Sequence, residues 1–198
     1  PSASADMEDA DGPGDIETPH VPWVASSADC KDFAGNEFAI YLWWMAEAGN
    51  GAAPMTGPTG EKTEAFIAID KSLDMDCAWG ATGKLSLRGD GPTQLREARD
   101  ALAIGKWPRK FGVILADTEH QWQFTLQADR MIVSGAALPE ITEVTSPREL
   151  LESRLELSVA LSDTLAAMYA EFVRRRAGDG WPNIRRKITD WIRQRQSG

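Results

Sequence analysis

The segment Gly35-Asn36-Glu37-Phe38-Ala39-Ile40-Tyr41-Leu42-Trp43-Trp44 constrains the fold more than any other stretch of this chain. Four aromatic and three aliphatic residues fall within ten positions, and no charge follows Glu37 until Glu47. Apolar residues on every side of a helix need cover on every side. A helix is therefore expected from about Asp32 to Ala48, ended by Gly49-Asn50-Gly51 and lying inside the core. Its tryptophans read first as packed core, with a docking surface for a partner helix as the competing role.

The chain is sized to supply that cover: 198 residues, 42 % hydrophobic and 26 % charged, the balance of one globular domain. No run approaches the ~20 apolar residues of a membrane span, so no membrane partner is expected. The first residues lack the basic and apolar regions of a signal peptide, which predicts a cytoplasmic protein. Cys30 and Cys77 are accordingly expected as reduced thiols. Pro1 in first position suggests a fragment or a processed product.

Charge is spread unevenly around the net value of −9. Residues 1–32 hold eight acids and one base, residues 33–144 fifteen and ten, and residues 145–198 seven and ten. Residues 1–32, rich in Asp, Pro, Ser and Gly, are expected to form a disordered acidic linker. Residues 33–198 are expected to form a single α+β domain.

Within it the periodicities predict an α-βββ-α-βββ-αα order with antiparallel sheets and a C-terminal helical pair. Residues 49–62, rich in Gly, Pro and Thr, read as a loop. Ala65, Ile67 and Ile69 share one face of a first strand; Leu73, Met75, Cys77 and Trp79 share one face of a second, with Asp74 and Asp76 opposite. Leu85 and Leu87 mark a third. Lys71-Ser72 and Gly80-Ala81-Thr82-Gly83 read as the connecting turns. A helix follows over about Thr93–Ile104, with Leu95, Ala98 and Leu102 along one side and Gly105 as its stop. Strands are expected over Phe111–Ala116, Gln121–Gln127 and Met131–Leu138. Ser146-Pro147-Arg148-Glu149 carries the N-cap, the first-turn proline and the acid of a capping box. It opens a long helix reaching about Ala177, striped by Leu150, Leu157, Leu161, Leu165, Met168 and Phe172. Trp181-Pro182 begins a last helix with Ile184, Ile188, Trp191 and Ile192 inward. The repeated α-βββ order hints at an internal duplication.

No catalytic or metal-binding set emerges. Gly57-Pro58-Thr59-Gly60-Glu61-Lys62-Thr63 imitates a phosphate-binding loop, but Glu61 stands where that loop needs glycine and a strand follows where it needs a helix. Asp70, Asp74 and Asp76 lack the ligand spacing of a calcium loop. His20 and His120 are isolated and the cysteines are not paired as in zinc sites. Glu119 and His120 have no accompanying nucleophile. A non-enzymatic protein without cofactor or small-molecule substrate is expected.

The basic residues remain. Arg174, Arg175 and Arg176 end the long helix, where the helix dipole favours cations. Arg185, Arg186 and Lys187, followed by Arg193 and Arg195, lie on the last helix, where it does not explain them. Phosphate binding is one role for these residues; a solvated polar face, or pairing with the acidic linker, is the other. Lys106, Trp107, Arg109 and Lys110 place an aromatic among three bases between helix and strand. Such a set, in a loop, suits a nucleic-acid contact or merely anchors a connection with one ring.

Several landmarks, in order and with compatible spacing from about residue 33 to 192, resemble the RdgC-like recombination-associated family. They are Gly35-x-Glu37-Phe38 leading into Leu42-Trp43-Trp44, Glu97-Ala98-Arg99-x-Ala101-Leu102-x-x-Gly105-Lys106, and Trp122-x-Phe124-Thr125-Leu126. Leu138-Pro139, Glu152-x-Arg154 and Trp181 complete the series. The resemblance implies the C-terminal part of a nucleoid-associated, homodimeric protein that closes around duplex DNA, holds it without base readout and restrains RecA-driven recombination. The alternative is a protein-interaction or dimerisation domain without DNA contact. An acidic chain lacking the family's N-terminal part leaves the C-terminal bases as the DNA-binding candidates.

Overall fold

The computed structural model describes residues 33–56, 62–76, 83–118, 120–141 and 146–194. The acidic linker, His20, Cys30, Cys77, Trp79, Glu119 and Arg195 lie outside the described residues, as do Gly57 to Glu61. The protein combines helices with one antiparallel sheet, in the order α1 (Phe38–Ala48), β1 (Ala52–Thr56), β2 (Lys62–Asp76), β3 (Leu85–Arg88), α2 (Arg96–Ala103), β4 (Trp107–Ala116), β5 (Gln121–Gln127), β6 (Ile132–Ala137), α3 (Pro147–Ala177) and α4 (Trp181–Gln194). That is the α-βββ-α-βββ-αα order read from the periodicities, with two of the strands reassigned.

A π-helical turn, Phe33–Glu37, leads into α1, Phe38–Ala48. Six successive residues, Phe38 to Trp43, are buried, so the helix has no solvent face along this stretch. The sheet covers one side and the C-terminal helices the others. Phe38 meets the rings of Tyr169 at 5.2 Å and Phe172 at 5.4 Å, and Trp43 meets Trp191 edge-on at 5.9 Å. Trp43 Nε1 donates to Glu47 at 2.7 Å, which satisfies the indole's polar atom. Trp43 of the opening motif is core, and Trp44 packs half-buried against it.

The sheet runs β1–β2–β4–β5–β6, with β3 beside β2. β1, Ala52–Thr56, falls where a loop is expected. Its Ala-Ala-Pro-Met-Thr sequence carries no alternation, and pairing with residues 62–66 of β2 makes it a strand. β2, Lys62–Asp76, is one strand of fifteen residues where two strands and a turn are expected. Lys71 and Ser72 form a bulge instead. Ile69 pairs with Val113 and Leu73 with Phe111, so β2 carries two extra residues against its neighbour. Two extra residues preserve the alternation, and Leu73 and Met75 stay on the buried face with Ala65, Ile67 and Ile69. Lys71 takes φ 62° to make the bulge, and its carbonyl accepts from Gly89 N–H at 3.0 Å. The displaced Asp70 carbonyl then crowds β4: a Cβ on Gly112 would lie 2.1 Å from that oxygen, so no other residue fits there.

β3, Leu85–Arg88, pairs with the same edge of β2 as β1 does, because Phe66 and Leu73 each pair with β4 on the other edge. β4, β5 and β6 form a simple meander instead. The two α-βββ halves are thus wired differently, against the hint of duplication.

The expected helix over Thr93–Ile104 divides into a 3-10 turn, Pro92–Gln94, and α2, Arg96–Ala103. Leu95 between them is exposed, while Ala98 and Leu102 pack inward. β4, Trp107–Ala116, begins four residues earlier than its alternation suggests. β5, Gln121–Gln127, matches its expected bounds, and β6 is Ile132–Ala137.

α3, Pro147–Ala177, starts at the expected cap, where Ser146 Oγ accepts from Glu149 N–H at 3.3 Å. Its expected stripe is buried from Leu157 to Phe172. Trp122 Nε1 donates to the Leu157 carbonyl at 3.2 Å, fixing α3 on β5. α4, Trp181–Gln194, buries Trp181, Ile188 and Ile192.

Candidate nucleic-acid interface

The two basic groups at the C-terminus are built differently. On α3, Glu171 is only 4 % exposed and holds two guanidiniums: Arg175 Nε donates to it at 2.7 Å, and Arg174 Nη2 donates to its other oxygen. Both bases lie one helical turn beyond the acid, the spacing at which helix side chains meet. Arg176 reaches across the fold. Its Nε donates to Glu37 at 2.7 Å, and its guanidinium stands 5.5 Å from the centre of the Trp181 ring. The trio thus joins α1, α3 and α4.

The Tyr41 hydroxyl adjoins this cluster, and burial pushes its pKa up against the opposing pull of Arg175. Burial works against the charge on Arg175, but its hydrogen bond to Glu171 and the facing Tyr41 outweigh that and raise its pKa.

α4 presents three of its four bases outward. Arg186, Lys187 and Arg193 are exposed, and Arg185 is half-buried. Arg186 Nη2 donates to the neutral Asn183 side chain at 2.9 Å. Over residues 181–194 four cations stand against one carboxylate, Asp190, which lies between Arg186 and Arg193 on the outer face. Arg185 sides with the packed face of Trp181, Ile188 and Ile192, whereas Arg186, Lys187 and Arg193 lie away from it.

The third basic group is engaged with its own sheet. Lys106 Nζ donates to the Gly83 carbonyl. Trp107 is the first residue of β4 and packs half-buried against the core, rather than standing in a loop. Arg109 Nη1 reaches Asp76 at 3.0 Å and its Nη2 reaches Asp129 at 3.5 Å. Lys110 is exposed and faces Asp74. Burial would raise the Asp74 pKa, but hydrogen bonds from Arg88 and Ser86, with the charges of Arg88 and Lys110, hold it below the usual carboxylate range. The acids weighed as a cation site are thus matched with bases: Asp74 with Arg88 at 2.7 Å, Asp76 with Arg109, and Asp70 with Lys71 at 3.7 Å. Among the described residues no group of three His, Cys, Asp or Glu could hold a metal ion.

One feature of α3 escapes the sequence reading. Leu151, Leu155 and Val159 are 59 %, 58 % and 57 % exposed and follow one another at four-residue steps. They form a second apolar stripe, about 120° around the helix from the buried one at 3.6 residues per turn. No residue before Leu157 on this helix is buried, so its first ten residues overhang the core. On the inner side of the overhang, Leu138, Ile141 and Leu150 help to line a cavity of ≈ 580 Å³. The signal lies in the sequence as leucines at both 150 and 151 and at both 155 and 157, more than one stripe can use.

Comparison with known proteins finds no matching family model, no similar curated protein and no similar solved structure.

Proposed function

We propose that this domain is a non-enzymatic, sequence-independent duplex-DNA-binding module of an RdgC-like, recombination-associated protein. The observation that carries the reading is the unequal use of the arginines. Those of α3 are engaged by carboxylates inside the fold, whereas Arg186, Lys187 and Arg193 of α4 face water on a helix that packs by its other side. Cations that folding does not use are what backbone phosphates require, and the ordered landmarks from residue 33 to 192 support the family. A nucleoid-associated, cytoplasmic protein follows from the same reading. Each phosphate neutralised releases counterions, so the salt slope of binding counts contacts at about 0.9 per phosphate on duplex DNA. The variant Arg186→Gln/Lys187→Gln/Arg193→Gln should lose binding at low salt and flatten that slope by about two to three. An unchanged affinity and slope would remove the assignment.

A second reading, a dimerisation domain without DNA contact, is favoured by the second stripe of α3. Two antiparallel copies related by a two-fold axis at Leu155 would set Leu151 of each against Val159 of the other, a self-complementary arrangement. Sedimentation separates the two. A dimer that Leu155→Glu dissociates, with no response to duplex DNA, favours this reading.

A further inference from the structure

We propose that the acidic block of residues 6–17 docks on the outer face of α4 and competes there with phosphate, so that the chain carries its own inhibitor. The block holds Asp6, Glu8, Asp9, Asp11, Asp15 and Glu17 without a single base. Its complement is the outer face of α4, where Arg186, Lys187 and Arg193 are exposed against the single carboxylate Asp190.

Where the chain joins the fold decides which basic surface the block meets. Phe33 begins the π-helical turn that ends at Glu37, and Glu37 is bound to Arg176, whose guanidinium stands beside Trp181, the first residue of α4. α1 then runs along α4, as the contacts of Tyr41 with Trp181 and of Trp43 with Trp191 show. The acidic block is therefore tethered at the root of α4. Fifteen residues separate Glu17 from Phe33. A coiled segment of that length spans on the order of 20 Å. α4 itself is about 21 Å long. Every cation of the helix lies within reach.

Three other bases near the tether are already matched. Arg109 is held by Asp76 and by Asp129, against whose backbone Gly35 packs, and Arg174 and Arg175 share Glu171. Tethering sets an effective concentration in the millimolar range, enough for a weak polyelectrolyte contact to occupy the site at low salt. The contact weakens as salt screens it. Its consequence for DNA depends on the phosphate-binding role of α4, whereas the contact itself does not.

The test uses the full chain and a variant with Asp6, Asp9, Asp11 and Asp15 changed to Asn and Glu8 and Glu17 changed to Gln. Without DNA, backbone amide resonances of residues 185–193 should differ between the two proteins at roughly 20 mM salt and converge at roughly 500 mM. With duplex DNA at the lower salt, the neutralised variant should bind about tenfold more tightly. That gain should vanish when Arg186, Lys187 and Arg193 are also changed to Gln. Identical α4 resonances at low salt would overturn the docking, whatever DNA does. Shifted resonances in proteins that never bind DNA would uphold the docking and remove the phosphate-binding role instead.

Discussion

Arg174 to Arg176 and Arg185 to Lys187 are two trios of bases nine residues apart that look alike in the sequence, yet they do opposite things in the fold. The first is turned inward and anchored, two members on the buried Glu171 and one on Glu37. In the second, Arg185 is half-buried and engaged, but Arg186 and Lys187 stand on the outer face of an amphipathic helix, Arg186 donating to a neutral amide. The difference is set by what lies one turn before each trio. Glu171 precedes the first at three and four residues; the corresponding positions before Arg186 and Lys187 are Pro182, Asn183 and Ile184. A base tied to a buried carboxylate is part of the scaffold, whereas Arg186 and Lys187 have only the exposed Asp190 at helical spacing and stay in water.

The sharpest way to break this contrast is to remove the shared acid. Glu171→Gln leaves two guanidiniums side by side and should cost about 2–3 kcal/mol of stability, less than a fully buried pair because Arg174 is largely in water. Urea unfolding reads this directly, and a loss no larger than that of Lys187→Gln would erase the distinction. Next in size, Arg176→Ala removes a cross-fold ion pair and a ring contact, for an expected loss of about 1–2 kcal/mol by the same measurement. The α4 variant Arg186→Gln/Lys187→Gln/Arg193→Gln should stay within about 0.5 kcal/mol per site while changing DNA affinity. If it unfolds the protein, its bases are scaffold too. The smallest effect concerns the phenol beside the α3 cluster. Burial raises the folded pKa of Tyr41, so its contribution is fully present below the unfolded value of about 10 and is lost as pH rises through the folded one. Alkaline unfolding should therefore be shallower in Tyr41→Phe; equal slopes would place no constraint from burial on that hydroxyl.

Local chemistry made much of the fold legible. The absence of charge between Glu37 and Glu47 marked a helix enclosed on all sides, and Ser146-Pro147 placed the start of α3 to the residue. The parity of β2 was readable from Ala65 to Met75, but its continuity was not. Lys71 and Ser72 look like a turn, and only the glycine at 112, forty residues on, allows the strand to bulge through. β1 was illegible because its strand character comes from pairing rather than from alternation. At the candidate site the anchoring of Arg174 and Arg175 by Glu171 was there to be read at helical spacing. That of Arg176 was not, since its partner is 139 positions away.

That last separation has a consequence for how the chain is made. The most apolar helix of the domain is among its first elements, and the residues that cover it from the far side belong to α3 and α4. At a synthesis rate of about 5–20 residues per second, α1 leaves the ribosome on the order of 10 s before Arg176 is available to bind Glu37. For that interval Phe38, Tyr41 and Trp43 have only the growing sheet to lie against. Closing of the domain therefore waits on its final two elements.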